Sequence, residues 1–136
     1  MSPRADDGCS VDTNVVVRYL VADDPAQAAK ARELFRRPLV WIAKTVLLET
    51  EWVLRSLYGF GGPEIARSLQ GLLGLPNVTA EDPPTVALAL NGLAQGMDFA
   101  DALHLASAPQ QLLFVTFDRR LAKRRTNQNW PPIELS

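Results

Sequence analysis

Leu112-Leu113-Phe114-Val115-Thr116-Phe117-Asp118-Arg119-Arg120 is the stretch that decides the fold. A run of strand-forming apolar residues stops at an acid and passes into a basic segment, so it reads as a strap of sheet over Leu112 to Phe117 with Asp118 at its carboxyl end and a basic helix behind. Cys9-Ser10-Val11-Asp12-Thr13-Asn14 follows the same pattern: a short strand around Cys9 to Val11, an acid, then a helix from Val15 to Val21.

Outward from these two segments, short apolar runs alternate with longer helical periods, the mark of an α/β arrangement with a mainly parallel sheet. Asp24 is a natural N-cap and Pro25 a natural first residue for a helix reaching about Arg37. Leu39 to Ile42 suits a buried strand, and a helix from about Lys44 to Tyr58 stops at Gly59-Phe60-Gly61-Gly62. Pro63 starts another helix ending near Gly74, and Asn77 to Thr79 reads as extended. Asp82-Pro83 opens a helix up to Gly96, Asp98 caps one from Phe99 to about Ala108, and Ile133 to Leu135 suits a last short strand. In open parallel sheets ligands bind at the carboxyl ends of the strands, which is where Asp12 and Asp118 stand.

At 136 residues, 47% hydrophobic and 21% charged, the chain suits one packed domain spanning 1–136. No repeat or linker divides it. No apolar run approaches the ~20 residues of a membrane span, and the first residues have no apolar stretch behind Arg4, so a cytoplasmic protein without a secretory signal is expected. One cysteine, Cys9, and one histidine exclude an internal disulfide and a zinc site of soft ligands. The net charge of −1 is polarised along the chain. Asp6, Asp7, Asp12, Asp23 and Asp24 crowd the start, whereas Arg119, Arg120, Lys123, Arg124 and Arg125 follow Asp118. Such a basic run is either a solvated helix face or a phosphate-binding surface.

Four acids carry the candidate chemistry. Asp12 and Asp118, taken singly, are as well explained as helix caps; together at one sheet edge they suggest a site. Glu49 lies within a helix of Val46, Thr50, Val53, Leu54 and Leu57, beside the face that packs on the sheet, and neither Lys44 nor Arg55 is spaced to pair with it. The alternative puts Glu49 at the boundary, reaching water, with Glu51 on the solvent side. Asp101 interrupts Phe99-Ala100-Asp101-Ala102-Leu103-His104-Leu105-Ala106, a segment otherwise apolar almost all round. Asp98 is placed to cap this helix, with a secondary metal role as the alternative, and His104 lies one turn beyond Asp101 as its hydrogen-bond partner or as core filler. Converging carboxylates without compensating lysines repel, and a hard divalent cation, Mg²⁺ or Mn²⁺, is the usual resolution. Such an ion suits hydrolysis of a phosphodiester. Thr13, Asn14 and Thr116 are small polar neighbours able to orient ligands or water.

Four blocks in order carry a resemblance that covers nearly the whole chain: Val11-Asp12-Thr13-Asn14-Val15 with Arg18-Tyr19-Leu20 and Asp23-Asp24-Pro25; Leu47-Leu48-Glu49-Thr50-Glu51-Trp52-Val53-Leu54; Asp98-Phe99-Ala100-Asp101-Ala102-Leu103-His104; and Thr116-Phe117-Asp118-Arg119. The chain resembles the PIN-domain ribonucleases, and within them the VapC-type toxins of toxin–antitoxin pairs. The resemblance implies a three-layer α/β/α sandwich with a central sheet of four to five strands. It also implies that Asp12, Glu49, Asp101 and Asp118 hold one or two Mg²⁺ or Mn²⁺ ions that cleave RNA, tRNA or another structured RNA included, with Asp98, Asn14 and Thr116 in support. A homodimer and a cognate antitoxin are implied in the same way. The departure is at the start, where Pro3, Gly8 and Ser10 stand in place of an apolar strand running into the first Asp, so a short first strand is expected.

Two other classes compete. A metal-dependent phosphohydrolase or phosphoacceptor domain also uses strand-end aspartates, but it wants a lysine on a later strand end, and none follows Asp118 until Lys123. An inactive domain kept for binding RNA or protein predicts loss of acids, whereas all four are present.

Overall fold

Parallel strands only two or three residues long position everything else, and each hands over to a helix after a few residues at most or closes the chain. The computed structural model describes residues 7–124 and 129–136. Pro3, Asp6 and Arg125 lie outside them. The element order is β1 (Cys9–Ser10), α1 (Thr13–Val21), α2 (Pro25–Leu34), β2 (Val40–Ile42), α3 (Lys44–Ser56), α4 (Gly62–Leu73), β3 (Val78–Ala80), α5 (Pro83–Ala94), α6 (Phe99–Ser107), β4 (Phe114–Thr116), α7 (Arg119–Ala122) and β5 (Ile133–Leu135). All strand pairs are parallel and the layering is α/β/α, as the sequence leads one to expect.

The strands form two ladders, β1-β2-β3 and β4-β5. β1 has two residues, so it offers little hydrogen-bonding backbone to any neighbour beyond β2. The short first strand is therefore real, and Cys9 in it is a free, partly buried thiol. In β2 the residues alternate as a half-covered strand requires: Val40 and Ile42 are fully buried while Trp41 between them is exposed.

Helix packing supplies most of the core. Leu47 and Leu54 of α3, Ile65 and Leu69 of α4, Leu90 of α5 and Leu105 of α6 are at most 1% exposed, each contributing roughly 1.5–3 kcal/mol of burial. The Tyr19 and Phe35 rings, 4.5 Å apart at their centroids, pin α1 to the end of α2. The helix expected to reach Arg37 stops at Leu34; beyond it the Phe35 and Arg37 carbonyls accept from Asn77 Nδ2 at 2.7 and 2.9 Å, which satisfies them without further helix. Gly96 closes α5 at φ +97°, a conformation that turns the chain toward Asp98 and costs a residue with a Cβ. Among the described residues no helix is long and apolar enough to cross a membrane.

The strand expected over Leu112 to Phe117 contracts to Phe114–Thr116, and its flanks are far more open than a doubly covered parallel strand allows. Leu112, Leu113 and Val115 are more than half exposed and Phe117 is 84% exposed. Among the described residues β4 pairs with β5 alone, and the side chains on this face stay open.

α5 and α6 meet at Gly92, where a Cβ would stand 2.9 Å from the Ala102 Cβ and 3.1 Å from the Met97 sulfur. Neither the Ala102 methyl nor the fully buried backbone behind it can yield cheaply. Gly92→Ala is expected to destabilise the fold by about 1–3 kcal/mol in a urea titration; a variant as stable as the parent would show that the two helices are free to separate.

Candidate metal centre and active cleft

Three of the acids are fixed by helix capping. Asp12 Oδ1 accepts from the Val15 N–H at 3.1 Å, Asp98 Oδ1 from the Asp101 N–H at 3.0 Å, and Asp118 Oδ1 from the N–H groups of Arg120 and Leu121 at 2.9 and 3.3 Å. The capping interpretation of these residues is thus correct as local chemistry. It does not compete with ligation, because every one of these bonds falls on Oδ1 and Oδ2 of the same carboxylate is a separate donor. Capping fixes the backbone and rotamer of each acid at the start of its helix. Thr116 adds to this: its hydroxyl accepts from the Asp118 N–H at 3.0 Å and sets the turn that presents the acid.

The acids line two cavities. One, about 370 Å³, is bounded by Asp98, Asp101 and Asp118 with Gly96, Met97, Leu121 and the side chains of Arg120 and Arg124. The other, about 410 Å³, is a cleft between α1 and α3 lined by Asp12, Thr13, Asn14, Val17, Arg18, Glu49, Val53, Leu57 and Tyr58. Glu49 is exposed into this cleft and accepts a short hydrogen bond from the Thr13 hydroxyl. Asp101 and Asp118 are therefore brought together with Asp98, and Asp12 with Glu49. Among the described residues no three carboxylate, histidine or cysteine groups lie close enough to hold a single ion by themselves.

Asp101 is the electrostatic centre. Burial, then the neighbouring Asp98 and then Asp118 push its carboxyl above the ordinary range, and His104 opposes them weakly. His104 is exposed, so it is not core filler; it acts on Asp101 only through its field. The donors present fit a hard divalent cation. They are all oxygens, they carry unrelieved negative charge, and Mg²⁺ characteristically takes one or two carboxylates and completes its shell with water and substrate phosphate. Asp101 with Asp98 or Asp118 would give such an ion its one or two carboxylates, with water completing the shell. Bound there, it supplies Lewis-acid stabilisation of charge developing on a phosphoryl oxygen. The chain itself contributes Arg120 and Arg124 at the rim; Arg124 is steadied by a 3.4 Å bond to the Gly96 carbonyl.

Two pairings escape a reading of the sequence for acids alone. Glu51, placed on the solvent side in one reading, is 4% exposed and forms a forked pair with Arg55, Nε to Oε2 at 2.8 Å and Nη2 to Oε1 at 3.4 Å. That alternative holds for Glu49, which reaches the open cleft, and fails for Glu51, which turns to the interior. The i,i+4 spacing of Glu51 and Arg55 was the available signal. The second is Arg18, which bonds Gln27, Asp23 and Tyr58, residues up to forty positions away; no local pattern announces the Tyr58 contact.

The PIN domain family matches residues 10–126, and the chain belongs to that family. No curated protein and no solved structure matches it. PIN domains are generally nucleases that use divalent metal ions.

Because Asp101 holds its proton more tightly in the folded than in the unfolded chain, metal-free stability is greatest below the unfolded pKa and is lost as pH rises through the folded one. Asp101→Asn removes that loss. In urea titrations with EDTA the variant should be more stable than the parent at neutral pH, and the gap should close as the pH falls below about 4. A gap independent of pH contradicts the assignment.

Proposed function

We propose that the chain is an Mg²⁺- or Mn²⁺-dependent endoribonuclease that hydrolyses RNA phosphodiester bonds, and that it serves as the toxin of a toxin–antitoxin pair. The observation that carries the nuclease reading is the cavity where Asp98 and Asp118 crowd Asp101 under the arginines Arg120 and Arg124. Carboxylates there suit a hard cation, and guanidinium groups beside them suit the phosphates of a polyanion. Asp12 and Glu49 in the cleft between α1 and α3 are the remaining acids of the set, with Asn14 beside them.

The reading includes protein partners, a second copy of the chain and a cognate antitoxin. Its support is the open apolar face of β4, where Leu113, Val115 and Phe117 lie exposed in alternation, the kind of surface that a partner covers. The toxin role itself rests on the four-block resemblance to VapC-type proteins.

The test is cleavage of bulk tRNA and synthetic RNA by the purified chain in Mg²⁺, in Mn²⁺ and in EDTA, beside Asp101→Asn. Cleavage should require the metal and fall by more than about 100-fold in the variant, beyond what loss of an outer partner causes. Metal-independent cleavage, or equal rates in the variant, refutes the proposed centre.

A further inference from the structure

The α1–α3 cleft has chemistry that the acidic cavity does not explain. One end is anionic, with Asp12 and Glu49; the other holds a single cation, Arg18; between them Val53 and Leu57 form an apolar wall beside the Tyr58 ring. Arg18 is six residues beyond Asp12, about 9 Å of helical rise, a span on the scale of a nucleotide unit.

The guanidinium is held in place to a degree that a surface ion pair does not need. Nε donates to Gln27 Oε1 at 2.7 Å, and Nη1 to Asp23 Oδ1 at 3.0 Å and to the Tyr58 hydroxyl at 3.5 Å. Tyr58 in turn donates to Asp23 Oδ2 at 3.0 Å. Arginine has five N–H donors in a rigid fork, and these contacts engage Nε and Nη1, so the Nη2 donors remain for a ligand. The side chain is 28% exposed, open enough to be reached and sheltered enough for charge-assisted bonds to count.

We propose that this cleft is a nucleotide subsite, in which Arg18 grips a backbone phosphate next to the one being cleaved while the attached base or sugar packs against Leu57, Val53 and Tyr58. The assignment rests on the ribonuclease reading and adds to it how the RNA strand is held: a forked cation fixes the phosphate, and an apolar wall without hydrogen-bonding groups accepts any base. Asp23, Gln27 and Tyr58 are positioning residues that act through Arg18.

The experiment uses the Asp101→Asn chain, so that binding is read without turnover, and a fluorescein-labelled single-stranded RNA carrying one neutral methylphosphonate at successive positions. At one position the neutral linkage should weaken binding about tenfold, as loss of a charge-assisted bond does. In Asp101→Asn/Arg18→Gln that penalty should vanish, and the slope of log affinity against log salt should become shallower by about 0.7, one phosphate contact on a single strand. Equal methylphosphonate penalties with and without Arg18 would reduce it to a clamp between helices and overturn the subsite. Leu57→Ala guards against misfolding of the Arg18 variant, because Leu57 is 68% exposed and its loss cannot unfold the chain. It should weaken binding severalfold with the salt slope unchanged; unaltered affinity overturns the apolar wall. An Asp101→Asn chain that binds no RNA in any form defeats the ribonuclease reading itself, a result distinguishable from failure at Arg18 alone.

Discussion

Helices that begin within a few residues of a strand or turn leave their first N–H groups in need of an acceptor, and at four of the seven described helices an aspartate side chain supplies it. Asp12, Asp98 and Asp118 each cap a helix through Oδ1, which places three carboxylates at helix starts. The cost appears at Asp101, one turn inside α6, whose carboxyl is driven up by burial and by Asp98 and Asp118. A capping requirement thus builds an electrostatic problem into the fold. A divalent cation, which PIN domains generally use, would relieve it.

Counter-charges are arranged around this problem rather than within it. Arg120 and Arg124 line the acidic cavity, Arg18 lines the cleft between α1 and α3, and Arg55 is committed to the buried Glu51. No described lysine or arginine makes an ion pair with Asp12, Glu49, Asp98, Asp101 or Asp118. A rim of cations around unneutralised acids attracts a polyanion to a place where metal is also wanted, which is the electrostatic requirement of a nuclease.

Much of this was legible from residues alone where a local rule applied. Asp24-Pro25 and Asp98 identify their helix starts because capping depends on a few neighbouring atoms, and the strand-end positions of Asp12 and Asp118 follow from the switch between apolar runs and helical periods. What periodicity could not settle is which side of α3 faces inward. Glu49 and Glu51 are two residues apart, and tertiary packing turns Glu51 inward, where it still reaches the half-exposed Arg55, and Glu49 into the cleft. Nor does composition reveal that the apolar run around Val115 stays open on one face, since burial depends on what covers a strand and not on the strand itself. The division of the acids between two cavities is likewise a property of distance, which spacing in sequence does not measure.

The central claim is that the acids around Asp101 form a hard-cation site. Mn²⁺ binding to the purified chain, followed by electron paramagnetic resonance of the free ion during titration, tests it most directly. The account predicts saturable uptake of Mn²⁺, displaced by excess Mg²⁺ and strongly weakened in Asp101→Asn. Uptake that is equal in parent and variant, or absent from both, would contradict it.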